Sequence, residues 1–349
     1  MNGLFTKTET TFFKGIGILM IVIHNFFHSR KGFGIENESS FSTDNVAVFL
    51  KQLTSLSFED GFAAFFGFLG HYGVQIFIFF SAYGLCIQYQ KKTVSDIKFV
   101  FQRLKKIYFL MFFGIAFCVA VTWLQGTPMS AYEILKKSFL LGTTISSFTE
   151  WYLYGMFTGP FWFFALMIQL YILFPIIYKV VTRFPFSKIW IPFVVSFSII
   201  YVGYFLTKSS HITVLGSIIG HLPEVILGIC LAHFKIRKFN SWLVLAATIV
   251  FGLSQFFEVF FPLSFLAVSV LLIQLFSWLS GSSPTMLKRI IIFFGEISMI
   301  LFVVNGKFRF IDIFSNFSLL QFSYYMPLLI GLSYVLYLVY NYLTKALKI

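Results

Sequence analysis

The sequence predicts an all-α membrane protein, a polytopic bundle of about ten transmembrane helices. Hydrophobic residues make up 58% of the 349 and charged residues only 11%. A soluble domain of this size carries about a quarter charged residues. The apolar residues also come in stretches of about 20, the length needed to cross a bilayer. The net charge of +13 could suggest nucleic acid as a partner. Its distribution argues against that, because the basic residues fall in short segments between apolar runs.

Taken in order, the predicted spans are roughly 11–28, 68–88, 104–124, 160–179, 189–207, 214–233, 241–257, 261–279, 290–306 and 321–343. With the N-terminus inside, most Lys and Arg fall on the inner side and most Asp and Glu on the outer side. The run from Lys91 to Lys106 carries much of this bias, with Lys92, Lys98, Arg103 and Lys105 between. That asymmetry orients membrane proteins and predicts two cytoplasmic termini. The first span lacks a basic start and a small-residue cleavage site, so it reads as retained. Cys86, Cys118 and Cys230 all fall in spans and have neither disulfide nor metal-ligand spacing. No internal repeat or linker divides the chain, so residues 1–349 read as one membrane domain.

Two outer segments, about 29–67 and 125–159, are long for loops without an evident element, and such loops are often functional. Tyr132, Trp151, Tyr152, Tyr154, Phe157 and Trp162 give the second the look of a cap or re-entrant segment at the interface.

Polar groups at membrane depth mark candidate function, because burying them in lipid is costly. Lys14 and His24 lie ten residues apart in the first span, about 15 Å along a helix. His28 follows His24 by one turn. Lys14 could also simply anchor the span by reaching the headgroups, and His24 could serve as an interhelical hydrogen bond. His24 and His28 have the spacing of metal ligands but no third ligand nearby, so no metal site is expected. Glu224, beside Pro223 in the sixth span, needs a partner, and His24, His28 or a buried lysine would serve. Ser81, Ala82 and Gly84 would allow helices to approach closely. Arg103 and Lys106 share a helix face at the start of the third span and could hold a phosphate-bearing ligand, or lipid, at the inner surface. Glu296 falls near the inner interface.

Four stretches together resemble the acyltransferase type 3 family of integral-membrane acyltransferases. They are Phe13-Lys14-Gly15-Ile16-Gly17-Ile18-Leu19 running to His24, Gly73 through Tyr83, Arg103 to Lys106, and Phe161-Trp162-Phe163-Phe164 through Tyr171 and Pro175. The resemblance implies transfer of an acyl group, usually acetyl, from cytoplasmic acyl-CoA to a hydroxyl of a surface or exported carbohydrate. It implies a bacterial inner-membrane location, acyl-CoA, glycan and membrane lipid as partners, and no bound cofactor. It assigns catalysis to His24 with Lys14 as basic partner, and acyl-CoA binding to Arg103 and Lys106. Glu224 is the carboxylate expected beside His24. Ser81, Tyr83, Trp162 and Tyr171 fall in the motif segments and are the substrate-binding candidates. The chain departs from the family in three places. The family has Arg, ten residues, then His, whereas here nine residues stand between Lys14 and His24, which sets the two about 80° apart around a helix. Ala82 stands where Gly is common, and Asn305 where His often ends the ninth span. Rival readings are a transporter or flippase of a lipid-linked glycan, and a scaffold or sensor. The first expects repeated halves with matching broken helices, which are not seen. The second leaves Lys14, His24 and Glu224 at membrane depth without a purpose.

Overall fold

The computed structural model describes residues 4–38, 40–54, 57–145, 157–208, 213–314 and 316–349. Among them the chain is all-helical. The helices are α1 (Lys7–His28), α2 (Thr43–Leu53), α3 (Phe58–Leu69), α4 (Gly73–Gln90), α5 (Asp96–Leu124), α6 (Ala131–Gly142), α7 (Trp162–Val181), α8 (Trp190–Thr207), α9 (Leu222–His233), α10 (Ser241–Phe256), α11 (Ser264–Ser282), α12 (Thr285–Phe308) and α13 (Leu319–Ala346).

Among the described residues seven helical segments are long and apolar enough to cross a membrane: α1, the 33-residue stretch Phe58–Gln90, α5, α7 with its leading turn, α8 with its own, the segment Glu258–Ser282, and α13. Each of the ten expected spans contains a helix, but by this measure the count is seven. The sixth and seventh expected spans are the short apolar helices α9 and α10. The ninth lies in α12, which also carries Lys288, Arg289, Glu296 and Lys307. The outer segments are more structured than expected. The first holds α2 and α3, and α3 runs through a 3₁₀ turn (Gly70–Tyr72) directly into α4. The second holds α6, while Trp151, Tyr152 and Tyr154 lie outside the described residues.

Both chain ends lie at one end of the bundle, here the near end. Lys105 donates to the Lys348 carbonyl there at 3.3 Å, and Arg237 pairs with Glu9 at the start of α1. Asp96 gathers Lys92, Lys179 and the Tyr89 hydroxyl at the same end.

α1 is the central strut. A capping box starts it: Thr6 Oγ1 accepts from the Glu9 amide at 3.2 Å, and Glu9 accepts from the Thr6 amide at 2.8 Å. It packs antiparallel against α4 and beside α12 with almost no side chain between. A Cβ on Gly15 would stand 2.0 Å from the Ile291 carbonyl oxygen, and one on Gly295 1.9 Å from that of Thr11. Without a hydrophobic driving force between helices in lipid, this close backbone packing is what holds them. Phe13, wholly buried, meets Phe5, Phe80 and Phe276. It wedges α1 into α4 and α11.

Candidate functional site

Three spaces follow one another through the bundle. At the near end lies a cavity of about 600 Å³. Lys7, Thr11 and Lys14 of α1, Ser81 of α4, Lys106 of α5, Tyr171 of α7, Glu296 of α12 and Tyr337 and Tyr340 of α13 line it. Next comes an apolar neck of about 10 Å³ between Ile21, Val74, Phe77, Phe163, Met299 and Phe302. That is about one water-sized space. Beyond it is a chamber of about 60 Å³ lined by His24, Asn25, His28, Glu36, Glu38, His71, Trp162 and Arg309, among others. Phe77, Phe163 and Met299 belong to both cavity and neck, and Ile21, Val74 and Phe302 to both neck and chamber. The spaces are thus contiguous.

One stripe of α1 edges the whole path. Lys7, Thr11 and Lys14 border the cavity, Ile21 the neck, and His24, Asn25 and His28 the chamber. Steps of three, four and seven residues keep one face of a helix. The 80° between Lys14 and His24 therefore does not part them. Both border the path, Lys14 near the middle of the stripe and His24 at its edge.

His24 is held from two sides. A Cβ on Gly70 would lie 2.7 Å from His24 Cβ, so the absence of a side chain at 70 makes room for it. His24 Nδ1 stands 3.2 Å from the Phe66 carbonyl oxygen. A carbonyl only accepts, so Nδ1 carries the proton and Nε2 of the neutral ring is left with a free lone pair. The rings of His28 and His71 lie 5.2 and 5.6 Å from it, centre to centre.

The carboxylate of this cluster is Glu36, whose Oε2 is 2.6 Å from His28 Nε2. Glu36 sits on a strap over the chamber, and Asn37 pins that strap. Asn37 donates to the Ser42 carbonyl and accepts from the Ser42 amide, both at 3.1 Å, and its Oδ1 accepts from Asn45. The nearby histidines outweigh the burial of Glu36 and hold its carboxyl below the usual range. Burial, with the adjacent Glu36 charge, pushes Glu38 up to about 7. Among the described residues no group of three ligating side chains could hold a metal ion.

The structure brings Lys14, Lys106, Ser81 and Tyr171 together in the cavity, and His24 and Trp162 in the chamber. Pro175 cannot donate, so it deprives the Tyr171 carbonyl of its helical partner at the level of the cavity. Two predicted residues lie elsewhere. Arg103 turns to Gln88 and lies over Phe99 instead of facing the cavity with Lys106. Tyr83 is buried in an aromatic cluster, where its hydroxyl accepts from the Phe5 amide at 2.8 Å.

The partner expected for Glu224 is also corrected. It is neither His24, His28 nor a lysine, but His221, at 3.0 Å from Nδ1 to Oε1. His221 caps α9 and Glu224 opens its first turn, so i, i+3 spacing pairs them locally. The His221 ring lies against Trp162, 6.2 Å away, and Phe265, 5.0 Å away, which puts an aromatic layer between this pair and the chamber. Asn305 accepts from the Tyr325 hydroxyl at 2.6 Å. Sequence reasoning missed Glu36 and Arg309. Glu36 carried a faint signal, an acidic residue in a long loop after a histidine-bearing span.

A multi-pass helical bundle with a buried histidine cluster beyond an apolar neck from a lysine-bordered cavity defines the class, a membrane-embedded protein with an internal site. The chain belongs to the acyltransferase 3 family, whose acyltransferase-domain model matches residues 11–341. Comparison with curated proteins and with solved structures gives no match.

Proposed function

We propose that this protein moves an acyl group, acetyl by family resemblance, from cytoplasmic acyl-CoA to a hydroxyl of a surface or exported carbohydrate. The reading places it in the bacterial inner membrane with its near end in the cytoplasm. One observation carries it: a single stripe of α1 joins a lysine-bordered cavity to His24 through a narrow neck. Lys7, Lys14 and Lys106 suit the phosphates of a CoA donor. The neck, about 10 Å³ as it stands, would have to widen for the donor's arm to pass.

In this reading the acyl carbonyl reaches the chamber from the near side and the acceptor hydroxyl from the far side. His24 Nε2, left free by the Nδ1 bond to Phe66, takes the hydroxyl proton. Glu36 orients His28 beside it, and its charge favours the imidazolium that forms. The proton returns to the departing CoA thiolate.

The test is the ester content of surface glycans, read by NMR in a deletion strain carrying wild type or His24→Ala. A general base contributes about 10²- to 10⁴-fold, so the variant should lose the ester while the protein remains at normal level. Full esterification by His24→Ala would refute the assignment. Unchanged esters in the deletion strain with altered glycan export would refute acyl transfer.

A further inference from the structure

Arg309 follows the last residue of α12, buried and bordering the chamber with His24. Its Nη1 donates to the Asn25 carbonyl at 3.0 Å, which fixes the guanidinium next to the residue that follows His24. Its plane lies 4.7 Å over Phe310. Its Nε has no hydrogen-bond partner, and no carboxylate among the described residues lies within ion-pair distance. Glu36, the near carboxylate of the chamber, is taken by His28. A guanidinium offers five donors, and a buried charge left without its counter-charge is strongly destabilising. Charge of this kind makes sense where negative charge arrives only during reaction.

We propose that Arg309 is a catalytic residue, the electrophile of the transfer step. This rests on the acyl-transfer reading above. The guanidinium holds the carbonyl oxygen of the acyl thioester. The acceptor oxygen attacks the carbonyl carbon and forms the new C–O bond while His24 removes its proton. The carbonyl π pair moves onto oxygen, and Arg309 carries that oxyanion. Collapse re-forms the carbonyl and breaks the C–S bond. The thiolate takes the proton from His24 and leaves as CoA, so ester and thiol are the only products.

A purely structural Arg309 would only tie the end of α12 to α1 through Asn25. Membrane vesicles holding the full chain separate the two roles. Radiolabelled acetyl-CoA is the donor and the vesicles' own glycans the acceptor, with label in alkali-labile ester as readout. Losing an oxyanion donor costs about 10²- to 10³-fold in kcat. Arg309→Gln should therefore fall about 100-fold in maximal rate, with KM for acetyl-CoA within about twofold. Arg309→Lys should fall between. Arg309→Ala should recover rate on addition of low-millimolar guanidinium chloride, which a lost structural tie would not allow. Arg309→Gln turning over at more than half the wild-type rate, or Arg309→Ala inert to guanidinium, overturns the proposal. Wild-type vesicles that form no ester would instead overturn acyl transfer itself.

Discussion

The two ends of the path differ in kind. The near cavity is wide, bordered by lysines and tyrosines, and its shape comes from six helices. The far chamber is a tenth of that volume, bordered by three histidines, two glutamates and Arg309, and half closed by a strap. Yet α1 edges both. A large, cationic, loosely walled space suits holding a big anionic molecule. A small, polar, tightly tied one suits fixing angles between reacting atoms. On the proposed reading, the contrast separates binding from chemistry along one helix, with a single strut keeping them in register.

The comparison can be broken most severely at the strut. Gly295→Val places side-chain atoms where the Thr11 carbonyl already lies 1.9 Å from a Cβ. The α1–α12 pair should part and both regions fail together. Size-exclusion profiles of detergent-solubilised protein should show loss of the monodisperse species, and a normal profile would mean the contact is not what holds the helices. Lys14→Met should act on the near region alone. On the proposed reading KM for acyl-CoA rises about tenfold, a loss of about 1.4 kcal/mol of binding, with kcat nearly unchanged. A fall in kcat at constant KM would instead place Lys14 in the chemistry. Glu36→Gln should do the reverse, lowering kcat several-fold at constant donor KM, because it leaves His28 without its carboxylate.

The smallest effect concerns pH. A carboxyl raised to about 7 in the folded strap binds its proton more tightly than in an open one. Closure is then unopposed below about pH 4.5 and is weakened as pH climbs through 7. Glu36 works the other way, its contribution present at neutral pH and lost on acidification. Hydrogen-exchange protection over residues 30–42, relative to the base-catalysed intrinsic rate, should therefore fall between pH 6 and 8 in wild type, and Glu38→Gln should flatten that fall. An unchanged pH profile in Glu38→Gln would show that this carboxyl does not control the strap.

Much of the fold was legible because hydropathy reports burial in lipid directly, and every expected span holds a helix. The count was not, because α9 and α10 are too short to cross on length alone and α12 carries Lys288, Arg289, Glu296 and Lys307. The α2–α3 pair was hidden in a loop, since α3 is apolar yet continues through a 3₁₀ turn into α4 instead of ending. At the site, Lys14, His24, Lys106, Ser81, Tyr171 and Trp162 could be read as polar or aromatic groups at depth. Their division between two spaces could not, because it depends on Phe77, Phe163 and Phe302 closing a neck from three different helices. Glu224 was legible as a buried carboxylate needing a partner. Its partner was three residues away and was overlooked in favour of distant ones. Glu36 and Arg309 were out of reach, because only tertiary folding brings a strap and a helix end over His24.

The stripe on α1 also makes that helix a ruler. Ten residues separate Lys14 from His24, about 15 Å of rise, and α12 and α4 grip the helix so closely that it cannot slide. On the proposed reading, a donor gripped at one mark presents its reactive end at the other, so the helix would measure the reach of its substrate. One residue inserted between the marks would turn His24 by about 100°, onto the line of Lys14 but out of the place that Gly70 leaves for it. Seven would return it to nearly the same face but about 10 Å too far away.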